Sequence, residues 1–410
     1  MVTAARPAAS AAGRPPGPRG RPLVGTLYDY ERDPIGYLAS CRDQYGDIFT
    51  LTPYHVVLAR PDWSQRVLAR TGREFQFTTN GKSTRESMMT HQVAAWMAAR
   101  RGAARFLAGG RDEAMAGALR AALEQIARQP AASVAHCQRA AAQAALPSYV
   151  HDGGDAFLRL VIDANDTIPA ITSSSLTLPR WASPARRRWQ RATDALIDDL
   201  VRRVDQRRAA PGAQPLDVLD VLAAEPAFSR LEVAQFLAAA AGNVHAVAGA
   251  MLGWLLAVFA RYPGIAESGG GADQALAVVR ETLRMYPPIW HVERQVTQAI
   301  EIGGFLIPAG MTVMVSPRLL HYDPRWWRSD PSVFRPDRWR DPAAHDPHAY
   351  IPYGAGPRVC SGAAVAQAIL TEAFAIIAAS WRVTVESPEP VAVPAAVVVP
   401  EPFRFRLSPR

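Results

Sequence analysis

Pro352-Tyr353-Gly354-Ala355-Gly356-Pro357-Arg358-Val359-Cys360-Ser361-Gly362 is the stretch on which the reading of this chain turns. One cysteine sits in a glycine-rich loop, with an arginine two residues before it and a glycine two residues after. An alanine-rich segment of helical character, Ala363 to Trp381, follows at once. A thiolate placed there is stabilised by the helix N-terminus, whose free backbone N–H groups and dipole favour negative charge. Gly354, Gly356 and Gly362 admit positive φ and let the backbone lie against a large planar ligand. Arg358 offers a forked pair of donors to a carboxylate. The alternative is a structural cysteine beside a helix start, since cysteine is among the most buried residue types. The agreement of so many positions within one short loop weighs against it.

The chain has 410 residues, 49% of them hydrophobic and 20% charged, which is the composition of a soluble globular protein. Its net charge is +8, and Lys82 is the sole lysine, so the positive charge is almost all arginine. No basic cluster interleaved with aromatics stands out, and no nucleic-acid partner is expected. Cys41, Cys137 and Cys360 are odd in number and far apart, with no Cys-x-x-Cys or Cys/His metal spacing. That pattern points away from a disulfide framework and toward a reducing compartment. No apolar run of spanning length lies near the N-terminus, so the expectation is a cytoplasmic protein without a membrane anchor. Residues 1–19, rich in Ala, Arg and Pro, are expected to form a disordered tail.

Along the chain, Asp33-Pro34 caps a first helix that ends near Gly46, and residues 48–59 alternate like a β-hairpin. A short helix starts at Pro61, and residues 77–92 read as an irregular loop. Ser183-Pro184 caps a charged helix reaching about Arg208. Arg230 to Tyr262 reads as one long apolar helix stopped by Pro263, and Asp273 to Met285 as a shorter one before Pro287-Pro288. Gly303-Gly304 and Pro308-Ala309-Gly310 bracket strand pieces, and the alternating tail from Arg382 to Leu407 reads as short strands. The fold class expected is mainly α with a small β portion.

The cysteine loop resembles the heme-thiolate loop of the cytochromes P450. Tyr353 stands where that family usually has phenylalanine, so its hydroxyl adds a group that can alter hydrogen bonding around the sulfur. The resemblance implies a single triangular heme domain over residues 20–410, monomeric, holding heme b (iron protoporphyrin IX). Cys360 would be the axial ligand of the iron, with Tyr353, Gly354, Arg358 and Gly362 around the cofactor. Glu281 and Arg284, three apart on one helix face, precede Phe334-Arg335-Pro336-Asp337-Arg338-Trp339. That order resembles the family's Glu-x-x-Arg helix and meander arginine, so Glu281, Arg284 and Arg338 would form a buried ionic triad of structural role. Trp96 and Arg100, at i and i+4, resemble the tryptophan–arginine pair behind the heme, and Arg294 matches the arginine that reaches the second propionate. His321 and His291 are further candidates on which no weight is placed. Pro15 to Gly25 resembles the proline-rich lead-in of membrane-bound members.

The helix expected to cross the distal face departs from the family pattern. Most members carry an acid and a threonine there to deliver protons, yet Phe236 to Arg261 contains no Ser, Thr, Asp or Glu. Asn243 and His245 are its only uncharged-polar or titratable groups before Arg261. His245 would be a proton donor titrating near neutrality, or Asn243 would hold an oxygen of substrate or water. Otherwise the substrate supplies the hydroxyl, or both side chains serve packing and local hydrogen bonding.

The resemblance implies a monooxygenase that hydroxylates or epoxidises a lipophilic or natural-product molecule, as in secondary metabolism. Electrons would come from separate proteins, a ferredoxin and its reductase, and a basic surface suits such an acidic partner. The missing acid and threonine keep open a peroxygenase, dehydratase or isomerase. A non-catalytic heme-binding module is the third reading. Met88, Met89, Ala239, Pro288, Ile289, Trp290 and His291 are the expected substrate contacts.

Overall fold

The computed structural model describes residues 13–21, 25–77, 93–109, 112–166, 183–266, 271–394 and 397–410. The expected loop at 77–92 therefore lies almost wholly outside the described residues. Most of the disordered tail expected at 1–19 does too. The chain forms two compact units, the first drawn from residues 1–82, 290–332 and 343–359, the second from 83–289, 333–342 and 360–410. Helices dominate and the sheets are small, as expected from the sequence.

The first unit is built on a five-stranded sheet. Its spatial order is Ile48–Thr52, His55–Leu58, Thr312–Val315, Val292–Val296, Phe75–Phe77. The first two strands form the expected hairpin, pairing Ile48 with Leu58 and Phe49 with Val57. Thr312–Val315 runs parallel to His55–Leu58 and is buried along its whole length, as a central strand covered on both faces must be. Val56, Leu58, Val67, Leu68, Phe75, Val313, Val315 and Ile351 form the core beneath it. The helix Pro34–Tyr45 starts where Asp33 accepts from the Gly36 amide at 3.0 Å, and Gly46 ends it at φ 88°. A separate hairpin, Ile300–Ile302 with Phe305–Ile307, turns at Gly303 and Gly304, both at positive φ.

The second unit is helical. The 32-residue helix Arg230–Arg261 starts with a capping box between Ser229 and Glu232 and ends before Pro263. It is not uniform: Val244–Ala248 is a π-helical turn between the α segments Arg230–Asn243 and Gly249–Arg261. At Gly249 an added Cβ would lie 2.3 Å from the Gln138 Cα, so the absent side chain lets the helix Val134–Ala145 pack against this one. Trp254 is buried, stacks on Tyr286 at 3.7 Å and donates from Nε1 to the Val398 carbonyl at 3.2 Å. By length and composition, Arg230–Arg261 and Ala363–Ser380 could each cross a membrane, but the first is 72% buried within the fold, as a core helix is. Three strands, Ala132–Ser133, Arg404–Pro409 and Trp381–Val385, and the pair Val391–Pro394 with Val398–Glu401, complete the unit.

Candidate active site

Cys360 is the exposed cysteine of the three, while Cys41 and Cys137 are buried. It lies just ahead of the helix Ala363–Ser380, with Gly362 as the N-cap residue. The Gly362 amide hydrogen-bonds the sulfur and the Arg100 charge acts on it, both favouring thiolate. Protein packed around the loop outweighs them and holds the thiol above its ordinary pKa, although the residue as a whole is exposed. A metal cation at the sulfur would supply the missing stabilisation. A cysteine sulfur, an amide donor and a cation make a donor set that fits an iron–thiolate bond. Beneath the loop, Tyr149 lies so close that a Cβ on Gly362 would meet its Oη at 2.7 Å. Burial, and then the Cys360 charge, push the Tyr149 phenol up, so it stays neutral.

Glu281, Arg284 and Arg338 are brought together and all are buried. Arg284 donates from Nε to Glu281 Oε2 at 3.0 Å and from a terminal nitrogen to Oε1 at 2.9 Å. Arg338 Nε donates to the same Oε1 at 3.1 Å. Two donors that the sequence reading missed complete the cluster: the Arg335 amide at 2.8 Å from Oε1 and Trp339 Nε1 at 3.1 Å from Oε2. Trp339 directly follows Arg338, and an aromatic N–H donor beside a meander arginine was the available signal. Burial lowers the Arg338 pKa against the pull of Glu281. These contacts tie the helix Ala272–Met285 to the segment 333–342.

In the first unit, Arg294 donates to Thr71 Oγ1 at 3.0 Å and to the Glu293 carbonyl at 2.8 Å. Burial, and then the nearby Arg358 cation, bring its pKa down to about 10. Two guanidinium groups that repel each other in a buried setting favour an anion between them, which a propionate would supply. Gly354 and Gly356 both adopt φ 72°. At Gly356 an added Cβ would lie 2.3 Å from the Leu68 carbonyl oxygen, so the absent side chain admits a close approach of protein backbone. Tyr353 is half-buried in the same loop. His321 is buried and accepts the Ile351 amide at Nε2, 3.1 Å away, so it anchors the start of the cysteine loop.

On the long helix, His245 is buried and Asn243 exposed, two residues apart and hence on different faces. His245 Nε2 lies 3.9 Å from the Asp166 carboxylate, and Nδ1 has no hydrogen-bond partner among the described residues. Burial lowers its pKa; Asp166 opposes that and Arg139 adds to it. Ala239 shares the exposed face with Asn243, one helical turn away.

Of the expected substrate contacts, Met88 and Met89 lie outside the described residues, as does the side chain of Trp96. Pro288 is buried, and its carbonyl accepts the Val398 amide at 2.9 Å; Ile289 is half-buried. Trp290 is buried with its ring 4.2 Å from that of His291. Packing is therefore the visible role of Pro288 and Trp290. His151, Asp217 and Asp220 cluster within reach of one another, and Arg207 ion-pairs with both carboxylates, 2.8 Å from Asp220 and 3.5 Å from Asp217.

A family profile described as Cytochrome P450 matches residues 275–405. Lithocholate 6-beta-hydroxylase of Mesocricetus auratus is 39% identical over 121 residues, 29% of this chain and 24% of that protein. Cytochrome P450 3A40 of Oryzias latipes is 34% identical over 139 residues, covering 32% and 28%. Thromboxane-A synthase of Macaca fascicularis is 45% identical over 87 residues, covering 21% and 16%. The chain thus spans about a quarter or less of the length of these relatives. Two solved structures match nearly end to end at 19% identity. Retinoic acid bound cyanobacterial CYP120A1 has a TM-score of 0.82 over 98% of this chain and 100% of its own. The cytochrome P450DA heme domain has 0.77 over 98% of each. The chain therefore has the fold of the cytochrome P450 heme domains, and its residues 275–405, which hold both the Glu281 cluster and the Cys360 loop, match the Cytochrome P450 profile.

Proposed function

We propose that this protein is a heme-thiolate monooxygenase that hydroxylates or epoxidises a lipophilic small molecule, using dioxygen and electrons from separate proteins. The observation that carries the reading is the Cys360 sulfur ahead of the Ala363–Ser380 helix, hydrogen-bonded by the Gly362 amide and within the field of Arg100. Cys360 would hold the iron of heme b, and Arg100, Arg294 and Arg358 would hold its propionates, with Trp96 assigned beside Arg100 on sequence position. When bound, the heme supplies oxygen activation, with thiolate donation favouring O–O cleavage.

The chain's own part is orientation, dryness and proton supply. The Glu281 cluster fixes the segment 333–342 ahead of the cysteine loop. His245 replaces the usual acid and threonine: exposed Asp166 delivers protons to Nε2, and the imidazole carries them inside. Asn243, on the exposed face with Ala239, would contact substrate. Ile289, His291, Met88 and Met89 complete the assigned contact set. A net charge of +8 supports an acidic ferredoxin with its reductase as the electron source. A monomeric heme domain in the cytoplasm, serving natural-product chemistry, completes the proposal.

The test is spectroscopic. Reduction of the purified protein under carbon monoxide is expected to give the long-wavelength Soret band of a thiolate-ligated heme, and Cys360→Ser to abolish it. An unaltered spectrum in Cys360→Ser overturns the proposal. Turnover with hydrogen peroxide alone, and none with a ferredoxin system, overturns the electron-transfer part.

A further inference from the structure

The first unit contains a cavity of about 350 Å³ that the reading above does not use. Its walls include Leu27, Tyr30, Leu51, His55, Glu293 and Met314. Among the described lining residues Glu293 is the only carboxylate, in an otherwise mostly apolar surround. It alternates with Arg294 on the strand Val292–Val296, so the two side chains leave opposite faces of the sheet. Arg294 bonds Thr71, whereas no described residue hydrogen-bonds or ion-pairs with the Glu293 carboxylate. A half-buried carboxylate in an apolar lining is costly to desolvate unless a countercharge arrives.

Tyr30 and His55 line the cavity with Glu293, and its charge acts on the Tyr30 phenol and on the His291 imidazole nearby. Tyr30 lies against two further rings, Tyr37 at 6.5 Å and Trp290 at 6.4 Å, which hold its face in place. Burial, and then Glu293, raise the Tyr30 phenol to about 12, so it adds no charge of its own. His55 Nδ1 is engaged by Thr52 Oγ1 at 2.7 Å, and burial disfavours protonation of His291. The cavity therefore presents one negative charge, an aromatic face and aliphatic walls.

We propose that this cavity binds a small organic cation, an alkylammonium group, with Glu293 as counterion and Tyr30 as the aromatic face. Ammonium groups are drawn to the face of an aromatic ring while their alkyl groups favour apolar walls. A bare divalent ion would demand several oxygen ligands, and the described lining offers one carboxylate. An anion is repelled by Glu293.

Calorimetric titration of the purified full-length protein, with its cofactor, separates these terms. The probes are choline and its neutral isostere 3,3-dimethylbutan-1-ol. Choline is expected to bind at least about tenfold more tightly than the isostere. Glu293→Gln should weaken choline by about tenfold or more, and Tyr30→Leu by several-fold, while Glu293→Asp stays within about threefold. Glu301→Gln, on the exposed hairpin strand, should behave as wild type. Equal affinity for choline and the isostere, unchanged choline affinity in Glu293→Gln, or no choline binding at all overturns the proposal. Thermal melting of Glu293→Gln coinciding with wild type supports attributing its loss to the cavity, and Glu293→Asp decides where melting differs. The readout involves no heme chemistry, so the proposal stands or falls independently of the monooxygenase reading.

Discussion

Arg338 Nε and Glu281 Oε1 meet at 3.1 Å with both side chains buried, and the same oxygen also accepts the Arg335 amide. One carboxylate therefore serves side chains from a helix and from a segment some fifty residues further on. Its removal would strand two buried guanidinium groups and the Trp339 N–H. Glu281→Ala is expected to cost ~3–5 kcal/mol in denaturant unfolding, since breaking a buried cluster leaves charge uncompensated. Glu281→Gln should recover part of that by keeping an acceptor. A loss below about 1 kcal/mol would reassign the cluster to the weak surface class.

Two glycines on helices of the second unit should respond oppositely to alanine. Gly249→Ala drives a methyl into the backbone of the helix Val134–Ala145 and should cost at least ~1–3 kcal/mol. Gly117, inside the helix Asp112–Ala127, has nothing within 4 Å of an added Cβ. Gly117→Ala should stabilise by ~0.5–1 kcal/mol through helix propensity. Thermal melts of the two variants side by side provide the check.

Gly362→Ala places its methyl against Tyr149 Oη at 2.7 Å. We expect a loss of ~1–3 kcal/mol and a shifted rate of Cys360 alkylation in the heme-free protein. Tyr149→Phe removes the opposing oxygen, so the double variant should recover much of both effects. Absence of recovery would place the strain elsewhere.

His245 carries a pKa held below the ordinary histidine value, chiefly by burial. The unfolded chain therefore binds the proton more readily than the folded one. Its contribution to stability is present above about pH 6.5 and is lost as the pH falls through that value toward the folded pKa. His245→Leu should flatten that part of the stability–pH curve. Asp166→Asn, by removing the group that opposes the shift, should move the imidazole titration followed by NMR to still lower pH. Arg139→Gln should move it upward.

The features legible in the sequence were those set by neighbours in the chain. Asp33-Pro34 and Ser183-Pro184 cap their helices through contacts three residues away, and Pro263 stops the long helix for a local steric reason. The Glu281–Arg284 pair is likewise one helical turn. What stayed hidden depends on distant chain segments. Asp166 meets His245 across two helices, and Gly356 owes its lack of a side chain to the Leu68 carbonyl. His321 holds Ile351 thirty residues away, a role no local pattern announces. The π turn at Val244–Ala248 was also unread, because a helix almost entirely apolar around Asn243 and His245 carries no periodicity from which a change of pitch stands out.

That wider turn changes how the long helix tolerates editing. A π turn accommodates one residue more than an α turn over the same rise, so the chain there holds a surplus residue in a bulge. Deleting one residue within 244–248 should let the bulge relax to ordinary pitch while Trp254 and Phe236 keep their present sides. The same deletion in the regular turns on either side would swing everything beyond it by about 100°. The segment bearing His245 is thus the one place in this core helix where the count of residues is negotiable.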